Sequence, residues 1–155
     1  MLVAAVLAAL HSLALALGLG SVFARGLRLR DLRRSPNDGD ALSRLLRADN
    51  LWGLAALLWI ATGLLRAFGA IEKESAFYLR NGFFHLKMGR FVAVLALEVA
   101  PMVTFIRWRI ARSRGGASVA AAPLGVLIRL NDAEVALVPL IPFVAALMAR
   151  GAWLF

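Results

Sequence analysis

Long apolar segments recur four times along the chain, at about residues 2–24, 51–68, 83–106 and 135–155. Each is close to the roughly 20 residues that an α-helix needs to cross the hydrocarbon core of a bilayer. These segments lack the alternation of a strand, and a helix satisfies its own backbone hydrogen bonds in lipid. The pattern predicts an all-α fold, an integral membrane four-helix bundle, with residues 1–155 forming one transmembrane domain.

Composition supports this class of protein. The chain is 61% apolar and its mean hydropathy is +0.77, whereas about half the residues of a soluble domain are apolar. The absence of cysteine excludes disulfides and thiolate metal sites. A net charge of +9 would suggest nucleic acid for a soluble protein. Here the arginines concentrate between the spans, so we expect the bilayer, and no nucleic acid, as the partner.

The connecting segments predict the orientation. Segments 25–50 and 107–134 hold most of the arginines, whereas segment 69–82 has only two basic residues, Lys73 and Arg80. Because basic loops stay cytoplasmic, both termini should lie on the non-cytoplasmic side of a bacterial inner membrane. No basic region precedes the first apolar run and no A-x-A site follows it, so we expect a retained span and not a signal peptide.

Several local features are predicted around these spans. Residues 25–34 can continue the first helix beyond the bilayer, and Asp40 is a suitable N-cap for the second helix. Asn131 or Asp132 is the expected cap of the fourth helix, which Pro139 should then kink.

Tryptophans near the span ends indicate an aromatic belt at the membrane surface. Trp52 and Trp108 are expected to anchor the helices there, whereas Trp59 lies deeper and is expected to pack inside the bundle.

The third span contains four ionisable side chains, His85, Lys87, Arg90 and Glu98. Such groups are costly in hydrocarbon and usually line a protein interior or a wet cavity. Lys87 and Glu98 lie on nearly the same helix face, roughly 16 Å apart. This stripe predicts a proton or ion path, or a binding cleft. Alternatively, Lys87 and Arg90 extend towards the membrane surface while Glu98 pairs with a basic group on another helix.

His11 is the ionisable group of the first span, roughly 14 Å along the helix from its start and near the expected level of Lys87. Arg66, near the outer end of the second span, could reach the same site and bind an anionic group. We therefore expect an outer-half polar site around His11, Lys87, Arg66 and Glu98. The alternative for His11 is a hydrogen bond to a neighbouring helix that assists assembly. His85 points away from Lys87 on an ideal helix.

Short motifs distributed along the chain resemble an uncharacterised bacterial family of predicted four-helix membrane proteins, a domain of unknown function. The matching motifs are Leu10-His11, Arg47-Ala-Asp49, Trp52-Gly-Leu-Ala-Ala-Leu-Leu, Thr62-Gly-Leu-Leu-Arg66, Tyr78-Leu-Arg-Asn81, Phe84-His-Leu-Lys87, Phe105-Ile-Arg-Trp108-Arg109 and Ala145-Ala-Leu-Met-Ala-Arg150-Gly151. This resemblance implies a membrane location and no particular activity.

A more distant similarity is to HemJ-type protoporphyrinogen oxidases and CopD-like copper-resistance proteins. HemJ-like proteins carry a first-helix histidine, a later His-x-Lys, and an Arg/Asn/acid cluster at the start of the last helix. This chain has His11, His85-Leu-Lys87 and Arg129-Leu-Asn131-Asp132. The similarity implies that the protein binds haem b in a redox role, with His11 as an axial ligand and Lys87 near the porphyrin.

Two other classes of function are open. A non-catalytic accessory or assembly subunit would use small-residue faces, such as Ala93, Ala96 and Ala100, to contact other membrane subunits or a second copy. Ion or copper handling in the manner of CopD would use His11, His85 and Met88 as ligands. No nucleophile arrangement is apparent, so the sequence leaves open whether the protein is an enzyme.

Overall fold

The computed structural model describes residues 2–69, 79–115 and 123–150. Within these ranges the helices are α1 (Leu2–Arg34), α2 (Gly39–Phe68), α3 (Gly82–Ser113), α4 (Leu124–Leu137) and α5 (Leu140–Ala149). Four stretches are long and apolar enough to cross a membrane: α1, α2, α3 and Leu124–Leu147, which combines α4 with most of α5. The predicted four-helix membrane fold is confirmed. The end of the bundle where α1 and α3 finish and α2 and α4 start is called the arginine-rich end below.

The connection between α1 and α2 differs in detail from the prediction. Helix α1 does continue to Arg34, but the N-cap of α2 is Asp38 and not Asp40, which lies in the first turn. The Asp38 carboxylate accepts a hydrogen bond from the backbone N–H of Asp40 at 2.8 Å. Backbone N–H groups of Ala41 and Asp40 hold the pKa of the Asp38 carboxyl below its usual value, because they stabilise its charged form.

The fourth span starts earlier than predicted. Its helix begins at Leu124 and not near residue 135, and Asn131 and Asp132 lie inside α4, so the prediction that either one caps the helix is wrong. Helix α4 ends at Leu137 and α5 begins at Leu140, with Pro139 between them. A proline has no backbone N–H to continue the helix, which accounts for this interruption. Residues 151–155 of the predicted span lie outside the described ranges.

An apolar core fills the arginine-rich end of the bundle. Leu29, Leu45, Phe105 and Leu127, one from each of the four spans, are at most 1% exposed there. Trp108 packs beside Phe105 with their ring centroids 5.5 Å apart and is buried. The prediction that Trp108 anchors the helix at the membrane surface is therefore wrong.

Most of the surface of the four spans is apolar and faces outward. Only 11–28% of each span's apolar window is buried inside the bundle. Exposed apolar side chains are stable in lipid, and lipid supplies no hydrophobic force that drives helices together. Close packing and polar contacts must therefore hold the four spans together. Gly18 supplies one close contact, since a Cβ at this position would lie 3.3 Å from the Trp52 ring. The polar contacts form the candidate site.

Candidate functional site

The side chain of Arg25 is fully buried between the four spans and contacts three carboxylates. Its Nη1 donates to Asp49 Oδ1 at 3.1 Å and to Glu98 Oε1 at 2.8 Å. Its Nη2 donates to Glu98 Oε2 at 3.0 Å and to Glu134 Oε2. The Nε donates to Asn131 Oδ1 at 2.8 Å. One guanidinium thus links α1 to α2, α3 and α4.

Aromatic rings enclose this guanidinium on two sides. The Arg25 Cζ lies 5.7 Å from the centroid of the Trp52 ring and 5.8 Å from that of Phe105. The indole Nε1–H of Trp52 donates to Glu98 Oε2 at 3.0 Å. Trp52 is only 5% exposed, so the prediction that it belongs to an aromatic belt is also wrong. Its ring excludes lipid and strengthens the electrostatic contacts in the cluster.

Asn131 and Gly26 complete the contact between α1 and α4. Besides accepting from Arg25, Asn131 donates from Nδ2 to the Val22 carbonyl oxygen at 3.2 Å. A Cβ on residue 26 would lie 2.6 Å from that same Nδ2, closer than real atoms approach. A side chain at position 26 would therefore displace the amide that orients Arg25.

Arg109 of α3 extends the cluster towards the arginine-rich end. Its Nη2 donates to Asp49 Oδ2 at 2.6 Å and to Asn50 Oδ1 at 2.8 Å. The Asp49 carboxylate therefore lies between two guanidiniums. We call Arg25, Arg109, Asp49, Glu98 and Glu134 the charge cluster.

The charge cluster has more acids than bases. In the described part of the chain, two guanidiniums contact three carboxylates, which leaves one surplus negative charge if every group is ionised. The carboxylates of Glu98 and Glu134 lie close together, because Arg25 Nη2 donates to an oxygen of each. Glu134 Oε1 is buried with no hydrogen-bond partner among the described residues. Because a surplus buried charge is costly, the cluster is expected to hold one proton.

A second polar region lies nearer the opposite end of the bundle, around His11. Its Nδ1 is 2.9 Å from Thr62 Oγ1, and the Thr62 hydroxyl donates to the Leu58 carbonyl oxygen at 2.7 Å. The hydroxyl therefore accepts from His11, which carries its proton on Nδ1. This contact joins α1 to α2, as the assembly alternative for His11 predicted.

A cavity of about 70 Å³ adjoins His11 and is otherwise mainly apolar. Lys87, Met88 and Phe91 of α3 line it together with Trp59, whose ring centroid lies 5.7 Å from that of His11. The structure thus brings His11 and Lys87 to one cavity.

The other predicted site residues are not among the described residues that line this cavity. Glu98 belongs to the charge cluster and not to the His11 cavity, and Arg66 is absent from the described residues that line this cavity. His85 is exposed, with its Nε2 3.0 Å from the Leu79 carbonyl oxygen, and Arg90 Nη1 donates to the Leu140 carbonyl oxygen at 3.4 Å. Of the expected outer-half site, the structure thus places His11 and Lys87 at one cavity and Glu98 in the charge cluster.

An apolar layer separates the charge cluster from the His11 cavity. Its members are Val22, Trp52, Val94, Val138 and Ile141, all at most 5% exposed. Val22, Val94 and Val138 lie about one helical turn from Arg25, Glu98 and Glu134, respectively, on the side away from the arginine-rich end. The Lys87–Glu98 stripe is thus interrupted at Val94.

Haem b does not fit the His11 cavity in this arrangement. His11 and Met88 are residue types that ligate haem iron, but about 70 Å³ is far below the roughly 300–1,000 Å³ of ordinary ligand pockets. The described residues also contain no group of three or more histidine, aspartate or glutamate side chains arranged to hold a metal ion. The function proposed below therefore places no haem-dependent step at this cavity.

We accordingly expect no Soret band in the absorption spectrum of the purified protein, even when haem is supplied during expression. Oxidised and dithionite-reduced spectra provide the measurement. A Soret band that disappears in His11→Ala, while the variant still folds, would contradict this expectation and assign His11 as a haem ligand.

Sequence reasoning missed most of the charge cluster. The sequence pattern interprets Arg25 and Arg109 as charges of connecting segments that set orientation, and Asn131 as a helix cap. The available signal was in α4, where Asn131 and Glu134 are three residues apart and share a helix face.

Comparison with known proteins identifies a family. No curated protein and no solved structure matches this chain, so the similarity to HemJ-type and CopD-like proteins stays a prediction. The sequence model of one family, described as "Predicted membrane protein (DUF2214)", matches residues 3–152. This match covers nearly the whole chain, in agreement with the four apolar spans of the structure. The protein therefore belongs to the DUF2214 family of predicted membrane proteins.

Proposed function

We propose that the protein handles ions in the membrane by binding and releasing a proton at the charge cluster. The observation that supports this proposal is the ratio of two guanidiniums to three carboxylates inside the bundle. One proton, assigned here to the fully buried Glu134, whose Oε1 has no hydrogen-bond partner among the described residues, makes the cluster neutral. Ionisable groups buried between membrane helices are costly to retain, and they often serve as proton relays.

The accessibility of the cluster suggests how the proton exchanges. Glu134 is fully buried, whereas the side chains of Glu98 and Asp49 are 19% and 11% exposed, and that of Arg109 is 34% exposed. Arg25 thus contacts Glu134, Glu98 and Asp49, and Asp49 in turn contacts the partly exposed Arg109. The proton would exchange with the arginine-rich end through the partly exposed carboxylates of Glu98 and Asp49, since a guanidinium keeps its protons.

The apolar layer supplies the barrier that such a function requires. Apart from Trp52, whose indole N–H donates to Glu98, every member of the layer is aliphatic. For a proton to cross the membrane, the apolar layer would therefore have to open. In the conformation described here the bundle would be closed to protons.

Proton flux into vesicles tests the proposal. Wild-type protein is reconstituted into vesicles that contain a pH-sensitive dye, and a potassium diffusion potential set by valinomycin drives proton entry. We expect faster acidification than in empty vesicles, and a fall of about tenfold or more in the protein-dependent rate for Glu134→Gln. Glutamine has the size of protonated glutamate but cannot release a proton.

Asp132→Asn is the matched control. Asp132 lies on the same helix two residues away, but it is about half exposed and pairs with Arg30 outside the cluster. This variant should conduct like the wild type. Glu134→Gln should also retain the fold, since a neutral residue 134 leaves two guanidiniums with two carboxylates.

Two outcomes would overturn the proposal. One is a wild-type rate equal to that of empty vesicles, and the other is an unchanged rate in Glu134→Gln. Co-purification with a larger membrane complex would then test the alternative of an accessory subunit.

A further inference from the structure

A groove runs along the outside of the bundle between α1 and α2. It has a volume of about 580 Å³ and is lined at one end by small and apolar residues. Leu17, Gly20 and Ala24 of α1 form one wall, and Ala48 and Leu51 of α2 form the other. A Cβ on Gly20 would meet no atom within 4 Å, so the groove is open at its centre.

The end of the groove nearest the arginine-rich end of the bundle carries three guanidiniums, those of Arg28, Arg44 and Arg47. Arg28 pairs with Asp31 at 3.0 Å and Arg44 with Asp38 at 3.3 Å, with every side chain in these pairs at least 40% exposed. Such exposed pairs are weak and leave the guanidiniums able to bind another anion. Arg47 is exposed and makes no ion pair with another described residue.

The groove changes from apolar to basic along its length, as a phospholipid changes from acyl chain to phosphate. The apolar part lies deeper along the two candidate spans, and the arginines follow where α1 leaves its apolar run and α2 has yet to enter its own. A guanidinium binds phosphate oxygens through two parallel hydrogen bonds. Basic pockets between membrane helices are typical sites for anionic lipid head groups.

We propose that this groove binds one anionic phospholipid. An acyl chain would lie against Leu17, Gly20 and Ala24, and the phosphate would contact Arg28, Arg44 and Arg47. Charge complementarity favours this occupant over a helix from another protein, since such a helix would have to supply several acidic groups at one level. The proposal does not depend on proton binding by the charge cluster, which lies inside the bundle.

Native mass spectrometry of the detergent-purified protein tests the head-group contact. Dioleoylphosphatidylglycerol and dioleoylphosphatidylcholine are titrated separately, and the fraction of protein that retains one lipid is measured. We expect the wild type to prefer phosphatidylglycerol and the triple variant Arg28→Gln, Arg44→Gln, Arg47→Gln to lose about tenfold or more in affinity for it. The matched control removes three exposed arginines outside the groove: Arg33→Gln, Arg107→Gln, Arg114→Gln.

A second variant tests the acyl-chain contact. Gly20→Leu would fill the groove without meeting another part of the protein, and we expect it to weaken phosphatidylglycerol binding while leaving the three arginines intact. Gly89→Leu on α3 is the control, because a Cβ there also has open space around it. Thermal stability in the same detergent shows whether each variant is folded.

Three results would each overturn the proposal. The triple variant could retain phosphatidylglycerol as the wild type does, or Gly20→Leu could bind it unchanged. Alternatively, millimolar inorganic phosphate could displace the lipid completely, which would indicate a site for free anions and no role for the acyl chain.

Discussion

Replacing Arg25 with glutamine is expected to destabilise the folded bundle by about 3–5 kcal/mol, because a buried guanidinium is removed from three carboxylates. Asp49 would retain Arg109, but Glu98 and Glu134 would lose their only basic contact among the described residues. Their uncompensated charge cannot be solvated inside the helices. The measurement is the free energy of unfolding in mixed detergent, supported by the thermal midpoint of the same sample.

Arg30→Gln provides the control on the same helix. Arg30 pairs with Asp132 at 2.7 Å, but the two side chains are 39% and 48% exposed, so the loss should be below about 1 kcal/mol. Both variants remove one positive charge from α1. Equal losses in the two variants would show that burial of Arg25 contributes nothing to stability.

A double variant separates the charge argument from simple loss of packing. If uncompensated carboxylates cause the instability, Arg25→Gln combined with Glu134→Gln should be more stable than Arg25→Gln alone, since one of these carboxylates is gone. If lost packing around Trp52 and Phe105 dominates, the second substitution should restore nothing.

The helices of this protein are predictable because the length of an apolar run directly reflects bilayer thickness. The first three spans are recovered within helices that extend well past them, and α1 does continue through 25–34. The sequence pattern predicts too late a start for the fourth span, and the reason is physical. Asn131 and Glu134 make the first half of α4 look like a loop, although both residues face Arg25 inside the bundle.

The partners of the charged residues are less predictable, because hydropathy contains no information on how helices rotate about their axes. An arginine that follows 23 residues of the first helix, as Arg25 does, has the sequence context of an orientation signal. The sequence did leave open that Glu98 pairs with a basic group on another helix, and this is confirmed. That the group is Arg25, and that Asp49 and Glu134 share it, depends on the packing of four helices.

Glycine positions also depend on helix packing that the sequence does not reveal. Helix α1 contains Gly20 and Gly26 among its glycines, and only the structure shows what a side chain at each of these positions would meet. A Cβ on Gly20 meets no atom within 4 Å, whereas a Cβ on Gly26 would lie 2.6 Å from Asn131 Nδ2. The same substitution should therefore have opposite effects at the two positions.

Gly26→Ala is expected to destabilise the bundle by about 1–3 kcal/mol, because moving Asn131 leaves the buried Nε–H of Arg25 without its acceptor. Asn131 is short and held by two hydrogen bonds, so it cannot move aside without losing one of them. Gly20→Ala should instead stabilise α1 by up to about 1 kcal/mol, since alanine restricts the unfolded chain and favours the helix. Unfolding in mixed detergent measures both variants. A Gly26→Ala variant as stable as Gly20→Ala would mean that Asn131 does not hold Arg25 in place, and the charge cluster would then have to be assembled by its carboxylates alone.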